Sequence, residues 1–182
     1  LEAFPLPAKG ETSYWDAVLS PLVEDGEVVG IINVTTDATE RQRAKEALVE
    51  SQRMLSTLIS NLPGMAYRCR NDPTWTMTFV SEGCLALTGY RPDELVGNHT
   101  VSYGDLIHPE DRAMVWESVQ TALATGDPYQ VTYRIVTPDG EKWVWEQGRG
   151  VTSEAGEVLA IEGFITDVSE RVMNEQALER RV

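Results

Sequence analysis

Basic residues are scarce in this 182-residue chain. Fifteen Lys and Arg stand against 29 Asp and Glu, which gives a formal net charge of −14 at pH 7. Because such a surface repels the phosphate groups that dominate nucleic-acid affinity, DNA, RNA and anionic membranes are poor candidate partners. We therefore predict no nucleic-acid partner.

Long apolar runs are also absent. No stretch approaches the roughly 20 apolar residues of a membrane span, and the N-terminus lacks the basic and apolar zones of a signal peptide. We therefore predict a cytoplasmic domain, although a longer parent chain could carry a membrane anchor elsewhere.

Residues with catalytic or metal-binding chemistry are few. The two cysteines, Cys69 and Cys84, fit no paired metal-ligand spacing and indicate a reducing compartment rather than a disulfide framework. With two histidines, no His-Glu-x-x-His pattern and no phosphate-binding glycine loop, the sequence shows neither a metal site nor a catalytic constellation. We predict that this fragment is not an enzyme and binds no metal.

An internal repeat organises the chain. Residues 10–51 match residues 140–181 at 14 of 42 positions without a gap, where chance gives about three. The segments 36–41 and 166–171, for instance, share the pattern Thr-Asp-x-x-Glu-Arg. The repeat predicts one module present twice, the first copy lacking its N-terminal part.

Periodicity and turn residues predict the elements of the second copy. Alternating apolar residues indicate two short strands at 65–70 and 75–80. Short helical segments follow, including one from Glu82 to Thr88 and a longer one that ends at Gly126. Three strands close the module, at 129–136, 143–151 and 158–166.

Four motifs occur within this order of elements, and together they carry a family resemblance. They are Phe79-Val80-Ser81, the run Leu87-Thr88-Gly89-Tyr90-Arg91-Pro92-Asp93-Glu94-Leu95-Val96-Gly97, then His108-Pro109-Glu110-Asp111-Arg112, and Asp167-Val168-Ser169-Glu170-Arg171. In this order the chain resembles the PAS family with its trailing PAC motif. The resemblance implies an α+β fold: a five-stranded antiparallel sheet with short helices on one face, flanked by signalling helices.

The resemblance also divides the chain. Residues 1–41 look like the C-terminal part of a preceding PAS/PAC domain, from its fourth strand onward, and 42–62 are predicted to be a connecting helix. Residues 63–171 are predicted to form a complete PAS/PAC sensor domain, and 172–182 the start of an output helix. The family role is a sensor and relay module in a larger protein of the sensor histidine kinase or diguanylate cyclase type. The implied partners are a second copy, bound through the flanking helices, and the adjacent PAS and output domains of the parent chain.

The connecting segment contains an apolar seam. Its members alternate spacings of four and three residues, which is a heptad pattern: Ala44, Leu48, Ser51, Leu55, Leu58 and Leu62. The pattern predicts a coiled-coil dimer. A single amphipathic helix packed on its own domain would show a similar stripe.

A helix-start motif follows the last strand of each copy. Asp37 and Asp167 each precede a glutamate, Glu40 or Glu170, by three residues, which is the spacing of a capping box. The simplest interpretation is a stable helix start. The resemblance adds a second one, in which these residues, with Arg41 and Arg171, couple the sheet to the exit helix.

A cavity between sheet and helices is the candidate ligand pocket. Its predicted lining is Met65, Tyr67, Cys69, Met77, Phe79, Leu85, Leu87, Met114, Trp116, Val131, Tyr133 and Ile161. The same residues could simply fill a core. The two alternatives for this region are therefore a pocket for a small, unidentified ligand and a filled core.

No cofactor is predicted. Cys84 lacks the Asn-Cys-Arg context of the flavin-reactive cysteine in light-sensing relatives, which argues against a photoreactive flavin. His108 precedes a proline at a helix start, and His99 lies in an irregular stretch, so neither fits an axial haem ligand.

Two tryptophans lie close together in the predicted fourth strand. Trp143 and Trp145 flank Val144, so at least one indole should face outward, where it would favour a partner helix or a second protomer. The alternative function is accordingly a purely structural dimerisation module that binds no ligand.

Overall fold

The computed structural model describes residues 4–8 and 11–179, with side chains from residue 12 to residue 178. The chain divides into two compact units, Leu1–Thr57 and Leu58–Val182.

The first unit contains a three-stranded antiparallel sheet. Its strands are β1 (Phe4–Ala8), β2 (Glu11–Glu24) and β3 (Glu27–Asp37), in that order across the sheet. Asp25 and Gly26, both with positive φ, form the tight turn between β2 and β3. The sequence predicted two strands here, the fourth and fifth of a preceding domain, and β1 is an additional one. The last three strands of the second unit are likewise neighbours in chain order.

This small sheet has almost no core of its own. Among the described side chains of residues 12–57, only Ala38 is buried. Apolar side chains on both faces of the β2–β3 hairpin are exposed, among them Val18, Leu19, Leu22, Ile31, Ile32 and Val34. That these strands belong to a larger module stays a prediction.

Helix α1 (Thr39–Ser60) forms the predicted connection. It begins three residues before the predicted segment and ends before Leu62, which lies in a turn. None of the α1 side chains is buried, and Leu48, Leu55 and Leu58 of the seam are each more than half exposed.

The second unit is built on a five-stranded antiparallel sheet, as predicted. Its strands are β4 (Met65–Cys69), β5 (Met77–Val80), β6 (Tyr129–Thr137), β7 (Gly140–Thr152) and β8 (Val158–Asp167), in the order β5-β4-β8-β7-β6. Side chains alternate between buried and more exposed along β4 and β6, because one face of the sheet carries the core.

Strand β5 starts later than predicted. The carboxylate of Asp72 accepts the backbone N–H groups of Thr74 and Thr76, both at 3.1 Å, and Trp75 has a φ of 50°. These contacts form a turn, so the strand begins only at Met77.

Four helices lie between β5 and β6 in the chain: α2 (Cys84–Thr88), α3 (Pro92–Leu95), α4 (Tyr103–Leu106) and α5 (Arg112–Thr125). Ser102 caps α4 by accepting the N–H of Asp105 at 3.1 Å. A last helix, α6 (Ser169–Glu179), follows β8. No helix within the described ranges is long and apolar enough to cross a membrane.

Candidate functional site

The interior of the second unit is almost filled. A cavity of about 10 Å³ lies between the sheet and the helices, lined by Tyr67, Cys69, Trp75, Met77, Tyr103, Ile107, Val115, Val119, Glu146 and Ile165. That volume is about the minimum for one water molecule. Ligand pockets usually measure about 300–1,000 Å³, so as packed the interior does not fit a flavin-sized group.

The structure gathers most of the predicted pocket residues into this core. Tyr67, Cys69 and Met77 line the cavity. Met65, Leu87, Val131, Tyr133 and Ile161 are buried around it, and the half-buried Trp116 packs on Trp75 with ring centroids 5.1 Å apart.

Three predicted pocket residues lie on the surface instead: Phe79, Leu85 and Met114 are between 41% and 48% exposed. A register shift between Arg68 and Cys69 places Phe79 opposite Arg68 on the outer face of the sheet. Leu85 and Met114 lie on helices that bury other positions, Leu87 in α2 and Val115 in α5. The prediction that these three line the cavity is therefore wrong.

The sequence-based prediction missed a buried carboxyl group at the centre of the site. Glu146 of β7 is 5% exposed. Its Oε1 atom accepts hydrogen bonds from the hydroxyls of Tyr67 and of Tyr129, the latter at 2.8 Å, and its Oε2 atom accepts one from Tyr133 at 2.5 Å. Tyr103 extends the group through its hydroxyl, which lies 2.9 Å from that of Tyr133. We call Glu146 and these four tyrosines the Glu146 cluster.

Two glycines make room for the Glu146 cluster. Gly148 of β7 pairs with Gly163 of β8, and both positions face the core. A Cβ atom at Gly148 would lie 2.5 Å from the Tyr129 hydroxyl oxygen, and one at Gly163 would lie 2.7 Å from that of Tyr67. Side chains at either position would displace the tyrosines that hold the carboxyl group.

Burial dominates the electrostatics of the Glu146 cluster. It raises the pKa of Glu146 above its usual value, although the three phenol hydrogen bonds act in the opposite direction. Burial together with the nearby carboxyl group also raises the pKa values of Tyr67, Tyr103 and Tyr133. Burial therefore shifts each of these groups toward its neutral form.

Cys84 and His108 each make a hydrogen bond with a nearby backbone group. The thiol of Cys84 donates to the carbonyl oxygen of Tyr90 at 3.3 Å, and burial raises its pKa to about 11. His108 accepts the N–H of Glu110 at 3.3 Å. Within the described part of the chain, no three His, Cys, Asp or Glu side chains are arranged to hold a metal ion.

Both tryptophans of β7 face away from the core. Val144 between them is fully buried, whereas Trp143 and Trp145 are half-buried. The guanidinium of Arg134 lies 5.7 Å from the centre of the Trp143 ring. A shallow groove on this outer face is lined by Pro128, Trp145, Gln147, Gly148, Arg149, Glu162, Gly163 and Phe164.

The start of α6 is tied to the sheet by hydrogen bonds. Asp167 Oδ1 accepts the N–H of Ser169 at 2.9 Å, and Ser169 Oγ accepts the N–H of Trp143 at 2.9 Å. The N–H of Val168 donates to the carbonyl oxygen of Trp143 at 2.8 Å. We call this arrangement of Asp167, Ser169 and Trp143 the α6 joint.

The first copy repeats the same arrangement before α1. Asp37 Oδ1 accepts the N–H of Thr39 at 2.9 Å, and Thr39 Oγ1 accepts the N–H of Tyr14 at 3.0 Å. In both copies the hydroxyl residue two positions after the aspartate makes the contact with the strand, and the sequence-based prediction overlooked it.

In neither copy do the described side chains show an ion pair between the aspartate and the arginine of the helix-start motif. Arg41 pairs with Asp16, and Asp167 lies 4.0 Å from Lys142. Glu40 and Glu170 lie in the first turns of α1 and α6, where their negative charge interacts favourably with the helix dipole.

Comparisons with known proteins agree with this fold. Residues 77–165 match the PAS fold family. A methyl sulfide methyltransferase-associated sensor of Methanosarcina acetivorans is 27% identical over 95% of this chain and 18% of its own length. A blue-light-activated histidine kinase of Brucella ovis is 38% identical over 53% of this chain and 20% of its own length.

A solved structure extends the comparison. A sensory box histidine kinase/response regulator from Burkholderia thailandensis E264 is 28% identical, with a TM-score of 0.54 over 71% of this chain and 98% of that chain. The chain spans about a fifth of the length of the curated relatives described above. Residues 77–165 form a domain of the PAS fold family, related to the sensor domains of signalling proteins.

Proposed function

We propose that residues 63–171 act as a sensor and relay module of a larger signalling protein of the sensor histidine kinase type. In this proposal, strain in the sheet of the second unit reaches the output through α6. The parent protein works in the cytoplasm, which fits the two free, buried thiols.

The α6 joint is the observation that carries this proposal. Ser169 and Val168 bind the backbone of Trp143, so the helix start is attached to β7 as well as to β8, which it follows. Three residues along β7, Glu146 lies in the core. A shift of β7 caused by a change in the core would therefore alter the anchoring of the exit helix.

The connecting helix supports a dimeric form of the relay. Leu48, Leu55 and Leu58 lie on one heptad seam and are exposed in the single chain. Pairing of two α1 helices would bury them. In a dimer, a change in the sensor domain could alter the packing of the two α1 helices against each other.

A second candidate function is a structural dimerisation module without a ligand. The small cavity favours it, because about 10 Å³ leaves no space for a metabolite. In that case the domain would set the register of the flanking helices and respond to nothing in its core.

Replacing Asp167 tests the relay. Asp167→Ala removes the acceptor for the Ser169 N–H and should cost about 0.5–2 kcal/mol of stability, the usual range for a lost helix cap. In the full parent chain we expect an altered basal output, measured as autophosphorylation, and a weaker response to stimulus. Asp127→Ala, at an exposed position after α5, is the matched control.

A normal response of Asp167→Ala, at equal protein level, would contradict the relay. If output were then lost only when dimerisation is disrupted, the structural module would be the better account.

A further inference from the structure

The Glu146 cluster contains more close oxygen contacts than its phenols have protons. Five oxygen pairs lie within hydrogen-bonding distance: Tyr67 with Tyr129, Tyr67 with Glu146, Tyr129 with Glu146, Tyr133 with Glu146, and Tyr103 with Tyr133. Each hydrogen bond needs one proton, and the four tyrosines supply four. A fifth proton is required if every contact is a hydrogen bond.

The shortage lies in one triangle of oxygens. Tyr67 and Tyr129 both reach Glu146 Oε1, and their own hydroxyl oxygens are 2.7 Å apart. If Glu146 is ionised, both phenols donate to the carboxylate and no proton stands between them. If Oε1 is protonated, each of the three oxygens donates once and accepts once, and the ring closes.

The surroundings supply no charge that would favour ionisation. The titratable groups facing Glu146 are Tyr67 and Cys69 on β4, Tyr103 on α4, and Tyr129 and Tyr133 on β6. All of them are neutral acids. In the described part of the chain Glu146 forms no ion pair, and an unpaired buried charge normally becomes neutral.

We propose that Glu146 is a proton-binding site, protonated at neutral pH, and that its ionisation opens the ring with Tyr67 and Tyr129. The cluster joins β4, α4, β6 and β7, so opening the ring would change how these elements pack. A proton would then be an input to the relay, a step that rests on the proposed function. Infrared spectra and the pH dependence of stability report on Glu146 alone, so the proton site and the relay can fail independently.

Infrared spectroscopy tests the protonation state directly. In the folded 182-residue chain at neutral pH we expect a carbonyl stretch of a protonated carboxylic acid, shifted by ¹³C labelling of glutamate and lost when the pH is raised. Glu146→Gln should abolish the band, whereas Glu157→Gln, in the exposed turn before β8, should retain it. No such band in the folded wild-type chain would overturn the proposal, whether or not Glu146→Gln folds.

The pH dependence of stability provides a second test. The unfolded glutamate has a pKa of about 4.3, and burial raises the pKa of the folded one. Between these two pKa values the folded state holds one more proton than the unfolded state. The free energy of unfolding therefore falls as the pH rises, and it stops falling above the folded pKa. In this window the wild-type unfolding equilibrium constant should rise by about tenfold per pH unit more than that of Glu146→Gln.

Glu157→Gln is expected to follow the wild-type curve. Parallel curves for wild type and Glu146→Gln between pH 5 and pH 7 would show that Glu146 releases its proton equally in both states, and would overturn the proposal.

Discussion

Replacing Gly148 with alanine is expected to lower the stability of the second unit by about 1–3 kcal/mol, the usual range for overpacking a core. The new Cβ atom would lie 2.5 Å from the Tyr129 hydroxyl oxygen and 2.9 Å from that of Tyr67. Both phenols would have to move, and their hydrogen bonds to Glu146 would weaken. Thermal unfolding followed by circular dichroism measures the loss.

Gly30→Ala is the matched control for this substitution. Gly30 also lies in a β-strand, but its Cβ atom would meet Leu22 at 3.8 Å, an ordinary packing distance. We expect at most a small change in stability there. Equal melting temperatures for Gly148→Ala and wild type would show that the space around the tyrosines is not tightly filled.

Introducing two glutamates into the seam, as Leu55→Glu with Leu58→Glu, should convert a dimer into monomers. Each buried leucine contributes about 1.5–3 kcal/mol, and the new carboxylates would face their symmetry mates across the interface. Because both leucines are exposed in the single chain, the second unit should remain folded. Analytical ultracentrifugation gives the oligomeric state, and circular dichroism the fold.

Val49→Glu with Thr57→Glu adds the same charge to α1 outside the seam and should leave the dimer intact. If the seam variant sediments as the same dimer as wild type, the interface lies elsewhere. The outer sheet face around Trp143 and Trp145 would then be the next candidate interface, since both indoles lie half-buried on that face.

Alternation and turn residues in the sequence predicted the five strands, whereas their arrangement in one antiparallel sheet was implied by the family resemblance. Strands β6 and β7 follow a period of two, and the turns that join the last three strands contain glycines that fit the chain reversal. Phe79 was misplaced because a register shift breaks that period, and the sequence contains no sign of the shift. Helix α4, with four residues, is too short to show a helical period.

The Glu146 cluster was missed for a different reason. A glutamate in a strand normally indicates the solvent face, and only its position between the buried Val144 and Gly148 marks Glu146 as inward. The tyrosines that satisfy it come from other strands, 13 to 79 residues away in sequence. Similarly, the pattern Asp-x-Ser at Asp167 was visible, but its contact with Trp143 depends on how β7 and β8 pair.

Amide hydrogen exchange tests the relay from core to helix most directly. The Val168 N–H bonds to Trp143, and the Val172 N–H bonds to Val168, so both report on the α6 joint. In the 182-residue chain under native conditions, Gly148→Ala should accelerate exchange at these two amides relative to wild type. The Val115 N–H, at the start of α5, should change less. If Gly148→Ala speeds exchange along β6 and β7 while Val168 and Val172 exchange as in wild type, the helix start does not respond to the core and the relay is contradicted.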